Sequence, residues 1–254
     1  MFVYLGRSGR PSMLDTQKKS ERAGEPSGRR KLLFASAGIL ACVLVATFIA
    51  GRNGNAAGSS LPNPAVDETP SAKGGNESVV FAGGCFWGIQ AVFEHIKGVK
   101  KATAGYSGGS AKNPTYEEVS TGTTGDAESV EVVYDPSQIT FGQLVKVFFS
   151  VALDPTELNR QGPDQGTQYR SAIFYKTLEQ QRIAQAYIKE LTEAKVFPRP
   201  IVTEIVPFKA FYRAEEYHQD FLMHNPDNPY IVINDLPKLS SLKREFPAFW
   251  FDYH

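Results

Sequence analysis

The segment Gly83-Gly84-Cys85-Phe86-Trp87-Gly88 constrains this chain more than any other. An apolar run, Val79-Val80-Phe81-Ala82, precedes it, and a helical pattern of Ile89, Val92, Phe93 and Ile96 follows it. The spacing predicts a strand over 78–82, a tight turn, and a helix over 85–97. Cys85 then stands at the top of a strand and in the first turn of a helix. Unpaired backbone N–H groups and the positive end of the helix dipole gather there. Both favour the thiolate, the nucleophilic form of cysteine. The glycines permit the turn and the approach of a substrate to sulfur. Phe86 and Trp87 supply a flat apolar wall beside it.

The rest of the chain is uneven. Residues 1–31 carry eight Lys or Arg against three acids, a net +5, which residues 32–254 balance. The globular part is therefore mildly acidic, which argues against a nucleic-acid surface. Leu32–Ala50 holds no charge and is long enough to cross a bilayer as a helix. Arg29-Arg30-Lys31 directly before it keeps the N-terminus on the cytoplasmic side. Two readings stay open: an uncleaved anchor, or an export signal cleaved near Gly54-Asn55-Ala56-Ala57. Arg29-Arg30 resembles a twin-arginine signal, and Met13 is a second candidate start. In either reading the remainder is membrane-anchored or exported, with a bacterial periplasm as the expected compartment. Residues 51–77 are rich in Gly, Asn, Ser and Pro and read as a flexible linker. Residues 78–254 form the one domain.

Cysteine usage limits the chemistry. Cys42 lies in the apolar segment and reads as inert, so Cys85 is the only cysteine of residues 78–254. No disulfide is possible inside the domain, and no Cys/His spacing fits a metal.

Strands are also expected at Val99–Ser107, Ser129–Tyr134, Tyr169–Tyr175 and Val202–Val206. A short helical turn is expected at Tyr116–Val119. Helices are expected from Thr140 to Val151, over Leu178–Lys195 and over Ala214–His224. Strands alternate with helices, which makes the class α/β or α+β, a sheet with helices packed on it.

Four further clusters place polar groups in loops beside Gly and Pro. They are Asn113–Val119, Thr124-Gly125-Asp126-Ala127-Glu128, Asp154-Pro155-Thr156 and Gly162–Ser171. With Gly84-Cys85-Phe86-Trp87-Gly88, Gly105-Tyr106-Ser107-Gly108-Gly109 and the tail Asn228–Pro237, they make the chain resemble the A-type peptide-methionine sulfoxide reductases over residues 78–237. The resemblance implies a ferredoxin-like α/β sandwich with a mixed sheet, working as a monomer without a bound cofactor. It implies Cys85 as the nucleophile on the sulfoxide sulfur and Glu128 as the acid that protonates the oxygen. Tyr116 and Tyr169 hold that oxygen, Phe86 and Trp87 cage the methyl group, and Asp164 supports the pocket. The substrates implied are oxidised methionine in proteins and free methionine sulfoxide. A carboxylic acid must be kept neutral to give such a proton, so Glu128 is expected to titrate high, chiefly through desolvation. Attack leaves a sulfenic acid on Cys85. Many members of the family carry resolving cysteines near the C-terminus, and this chain has none. An external thiol, from a thioredoxin, from glutaredoxin with glutathione or from another small thiol, must then clear the sulfenic acid. Many members also have His where Asp126 stands.

Two rivals compete with this reading. Gly84-Cys85-Phe86-Trp87 with His218 some 130 residues later loosely echoes papain-like cysteine hydrolases. An aromatic pocket that only binds methionine-like ligands is the other. His95, His218, His224 and His254 read as structural or exposed.

Overall fold

The computed structural model describes residues 61–70 and 74–253. The basic segment 1–31, the apolar segment 32–50 and the first part of the expected linker lie outside the described residues. Among the described residues, no helix is long and apolar enough to cross a membrane.

Strand β1 (Glu77–Ala82), helix α1 (Phe86–Glu94), strands β2 (Val99–Ser107) and β3 (Ala127–Tyr134), helix α3 (Phe141–Val147) and strand β6 (Ala172–Tyr175) form the frame. A short helix α2 (Tyr116–Ser120) interrupts the link from β2 to β3, and a two-stranded hairpin, β4 (Arg160–Gln161) with β5 (Asp164–Gln165), precedes β6. The four main strands lie in the order β6-β1-β3-β2, all antiparallel. This βαββαβ arrangement is the ferredoxin-like sandwich. Helix α4 (Leu178–Glu193) leads to β7 (Glu204–Pro207), which adds parallel to β6 and makes the sheet mixed. β8 (Phe211–Arg213) closes the other edge antiparallel to β2.

The core is aromatic where α1 and α3 meet the sheet. Phe81 of β1 stacks on Phe93 of α1 at 4.9 Å and packs against Phe148 at 4.7 Å between ring centres. All three are fully buried. Truncating one to Ala costs about 3–5 kcal/mol. That packing pins the C-terminal end of β1, and with it the turn that carries Cys85.

The sequence-based boundaries hold for β2 and shift elsewhere, for physical reasons. α1 stops at Glu94, three residues early, because Gly98 takes a φ of +92° to turn the chain into β2. The expected helix to Val151 passes after Val147 into a π-turn, Phe148–Ala152, which buries Phe148 and Phe149 together. The expected strand at Tyr169 begins only at Ala172, and Tyr169 ends a 3₁₀ turn, Thr167–Tyr169. The expected helix over 214–224 is broken into a 3₁₀ turn, Glu216–His218, and a four-residue helix α5 (Phe221–His224). Its break is made by Gln219. That side chain accepts from Ala104 N–H and donates to Ala104 C=O, each at 3.0 Å, in place of a neighbouring strand. After α5 come a π-turn (Ile231–Asp235) and helix α6 (Leu236–Glu245), which packs on α1.

The expected flexible linker is also corrected over residues 61–70, where the chain lies docked on the domain. Its turn residues act as helix caps. Asp67 accepts from Thr140 Oγ1 at 2.5 Å and Gly142 N–H at 2.9 Å, and Glu68 from Phe141 N–H at 2.6 Å. Tyr187 Oη donates to Pro62 C=O at 2.8 Å, and Leu61 is buried.

Candidate active site

Cys85 is the N-cap residue of α1, as the strand–turn–helix pattern predicts. The turn before it needs Gly84, whose φ is +96° and whose absent Cβ would lie 2.6 Å from Gln161 Cβ. Any side chain at residue 84 collides with the β4–β5 hairpin. That contact brings Asp164, at the start of β5, toward the turn.

Glu128 reaches the same place from the edge of β3. It is almost fully buried, and its Oε2 accepts from Phe86 N–H, the first donor of α1, at 3.1 Å. Burial raises its carboxyl to about 8, against the opposing pull of the Phe86 N–H; the charge of Asp164 raises it further. The expected neutral acid is present, and desolvation is its chief cause.

The expectation for the thiol is corrected. Cys85 is pushed well above the usual thiol range, first by burial and then by the negative charges of Glu128 and Asp235. The Trp87 N–H and the Lys238 ammonium oppose that shift. The helix end does favour an anion, but Glu128 already occupies its first N–H. Protonating Glu128 removes the nearest repulsion, so an acid-form Glu128 and a reactive Cys85 belong together.

Tyr116 and Tyr169 both feel this centre. Burial raises each hydroxyl, and the charges of Glu128 and Cys85 raise it further. Tyr169 also feels Tyr116 and Asp164. Groups from α2, β3, β5, the 3₁₀ turn and the N-cap of α1 thus converge on one volume.

The aromatic wall is larger than Phe86 and Trp87. Phe86 is fully buried and packs on Tyr106 and His218. Trp87 stacks on Phe221 at 3.8 Å and meets Tyr230 edge-on at 5.8 Å. Its Nε1–H donates to His218 Nδ1 at 3.1 Å. The Tyr230 hydroxyl in turn donates to Asp164 Oδ2. His218, Phe221 and Tyr230 therefore belong to the site, although nothing in the local pattern distinguished them. Tyr230 does lie in the tail Asn228–Pro237, which could have drawn attention to it.

Asp235 is a second residue the spacing did not reveal. It is wholly buried and bonds Lys238 Nζ at 3.0 Å. A Cβ on Gly88 would lie 2.0 Å from its Oδ1. The carboxylate thus rests on the first turn of α1. Asp126, where many relatives have His, is also buried and accepts from Gly109 N–H at 2.8 Å. It ties the Gly108-Gly109 turn to the start of β3, two residues before Glu128.

The hydrolase alternative fails on geometry. His218, its only candidate base, spends Nδ1 on Trp87, and its Nε2 is buried without a partner. Burial also lowers its affinity for a proton.

Comparison with known proteins agrees with this arrangement. The family model described as "Peptide methionine sulfoxide reductase" matches residues 77–248. A relative from Mesorhizobium japonicum, "Peptide methionine sulfoxide reductase MsrA 2", is 60% identical over 69% of this chain and 90% of its own length. One from Synechocystis is 53% identical over 73% and 88%. Among solved structures, Mxr1 from Saccharomyces cerevisiae in reduced form has a TM-score of 0.55 and 34% identity, covering 64% of this chain and 91% of that one. Methionine sulfoxide reductase A of Corynebacterium diphtheriae has a TM-score of 0.52 and 38% identity, covering 65% and 86%. With the matched model spanning most of the domain and the motif residues gathered at one helix end, the chain belongs to the MsrA-type peptide methionine sulfoxide reductases, thiol-dependent oxidoreductases that reduce methionine sulfoxide.

Proposed function

We propose that this chain reduces the S-epimer of methionine sulfoxide, free or in proteins, through a sulfenic acid on Cys85. The observation that carries the reading is the Glu128 carboxyl, buried beside Cys85 and seated on the first N–H of α1. The Cys85 sulfur attacks the sulfoxide sulfur as Glu128 gives its proton to the oxygen. The S–O bond breaks, the oxygen ends on Cys85 as sulfenic acid, and methionine leaves. Sulfur of Cys85 is oxidised by two electrons and the substrate sulfur is reduced by two. The thiol's own proton restores Glu128. Tyr116 and Tyr169 hold the oxygen without adding a full charge, and Trp87 and Phe86 form the wall that receives the methyl group.

Cys85 is the only cysteine among the described residues. The sulfenic acid is therefore met by a thiol from outside the domain. The first thiol forms a mixed disulfide with Cys85 and releases water; a second thiol restores Cys85. A thioredoxin-like dithiol, or glutaredoxin with glutathione, has this chemistry. The uncharged segment 32–50 behind a basic cluster supports a place of work at or beyond a membrane. The test is a purified chain given dithiothreitol and each sulfoxide epimer of a methionine peptide. The S-epimer is expected to disappear and the R-epimer to remain, with Cys85→Ser inactive toward both. Turnover by Cys85→Ser, or none by the native chain, refutes the reading.

A further inference from the structure

We propose that Glu215 is a positioning residue that fixes the gap between the two walls of the pocket and so sets which substituent the sulfoxide sulfur can carry. The inference rests on the roles given above to Tyr116 and Trp87. Glu215 touches neither sulfur nor oxygen. Its two carboxylate oxygens instead bind two separate elements. Oε1 accepts from Tyr116 N–H, the first donor of α2, at 2.9 Å, and Oε2 accepts from the Tyr106 hydroxyl of β2 at 2.7 Å. The capping box of α2 meets two of its N-terminal donors locally. Thr115 takes Glu118 N–H at 3.3 Å, and the Glu118 side chain takes Thr115 N–H at 2.9 Å. The Tyr116 N–H is left for Glu215.

Glu215 also begins the 3₁₀ turn whose His218 braces the other wall, on α1. Its carbonyl accepts from His218 N–H at 3.0 Å, and His218 Nδ1 accepts from Trp87 Nε1–H at 3.1 Å. One residue thus holds Tyr116 through its side chain and Trp87 through its backbone. Tyr106, fully buried, packs against Phe86 with ring centres 5.9 Å apart. Burial works against the Glu215 charge, but the Tyr116 N–H and the Tyr106 hydroxyl hold the carboxyl below its ordinary value. The anion is stable here because its partners are prearranged.

Removing the side chain leaves the Trp87 branch attached and takes from Tyr116 its backbone anchor, leaving its ring held only by packing such as that on His218 at 4.4 Å. The oxygen wall then moves against the methyl wall. A methyl group loses its fixed seat, while a larger group gains room. The test compares kcat and KM for a methyl aryl sulfoxide and its ethyl counterpart, both of S configuration, with dithiothreitol as reductant. Glu215→Ala is expected to lower kcat/KM for the methyl substrate about tenfold and to change the ethyl substrate little, so that the preference collapses. Glu215→Gln is expected to keep the preference within about twofold, because the amide oxygen still accepts from Tyr116 and its NH₂ donates to the Tyr106 oxygen. Glu215→Ala with Tyr106→Phe orphans no buried hydroxyl, and the same collapse is expected of it. A merely structural Glu215 depresses both substrates equally in both variants, and an unchanged methyl-to-ethyl ratio overturns the proposal. Failure of the native chain to reduce either sulfoxide refutes the functional reading instead.

Discussion

Helices α1 and α3 begin with the same electrostatic problem and solve it with different groups. The first turn of α3 is closed by fixed structural acceptors. Thr140 takes Gln143 N–H, Gln143 takes Thr140 N–H, and the docked strap supplies Glu68 for Phe141 N–H and Asp67 for Gly142 N–H. No donor there is left for chemistry. The first turn of α1 has no side-chain cap of its own. Its Phe86 N–H is met by the buried Glu128 from β3, and the Trp87 N–H acts on the Cys85 sulfur by favouring its anion. Both helix ends hold a half- or fully buried carboxyl raised by desolvation, Glu68 to about 7 and Glu128 to about 8. The comparison teaches that a raised carboxyl is not a functional mark by itself. What separates the two is the neighbour: Glu128 faces a thiol, and Glu68, itself part of the strap, faces only the backbone of α3 and other acids.

The contrast can be broken by substitution. The largest effect is expected from Glu128→Gln, which keeps the acceptor for Phe86 N–H but cannot give a proton. kcat is expected to fall by about a hundredfold or more in steady-state assays with dithiothreitol. In the native chain kcat should fall as pH rises through about 8, because the acid form of Glu128 is lost there. The same linkage predicts stability. A carboxyl raised above its unfolded value contributes fully below about 4.5 and loses that contribution as pH passes through about 8. Melting temperature should therefore fall as pH rises from about 4.5 to about 8 and level off above it in the native chain, and less so in Glu128→Gln. A pH-independent kcat across this range would remove the acid role.

A smaller effect is expected from Tyr230→Phe. It deletes the hydroxyl that holds Asp164 but keeps the ring beside Trp87. kcat/KM should fall about tenfold, the lower end of what one lost charge-assisted hydrogen bond of about 1.5–3 kcal/mol gives. Unchanged kinetics would show that Asp164 needs no anchor. The smallest effect on activity is expected from Asp67→Ala. It removes a cap at α3 and should cost about 1 kcal/mol, a fall in melting temperature of about 2–4 °C, with kcat unchanged. A loss of turnover there would mean that the two helix ends are coupled.

How much of this was legible in the sequence depends on range. β1, the turn and α1 could be read because their signals are local: an apolar run, two glycines and a three-to-four spacing. Glu128 could be reached through its motif, and its high titration followed from the chemistry asked of it. The break at Gln219–Asp220 could not, because it depends on a side chain replacing a strand partner 115 residues away. Asp220 there adopts a left-handed φ of 53° that no turn signal announced. The strap over 61–70 looked like linker because its caps act on α3, some 73 residues on. His218 was legible as a histidine and not as the partner of Trp87. The thiolate expectation failed for a similar reason: it counted the helix dipole and could not see how deeply the tertiary fold buries the sulfur, nor the acids set beside it.

The contact between Asp235 and Gly88 has a consequence for how the chain can be cut. The π-turn and α6 are a side of the reaction chamber, pressed on the turn that bears the sulfur. Shortening the protein from its C-terminal end as far as Tyr230 would strip a wall from the chamber, and an ammonium and a carboxylate from beside the nucleophile. Truncations that reach α6 or the π-turn before it are therefore interventions in the active centre.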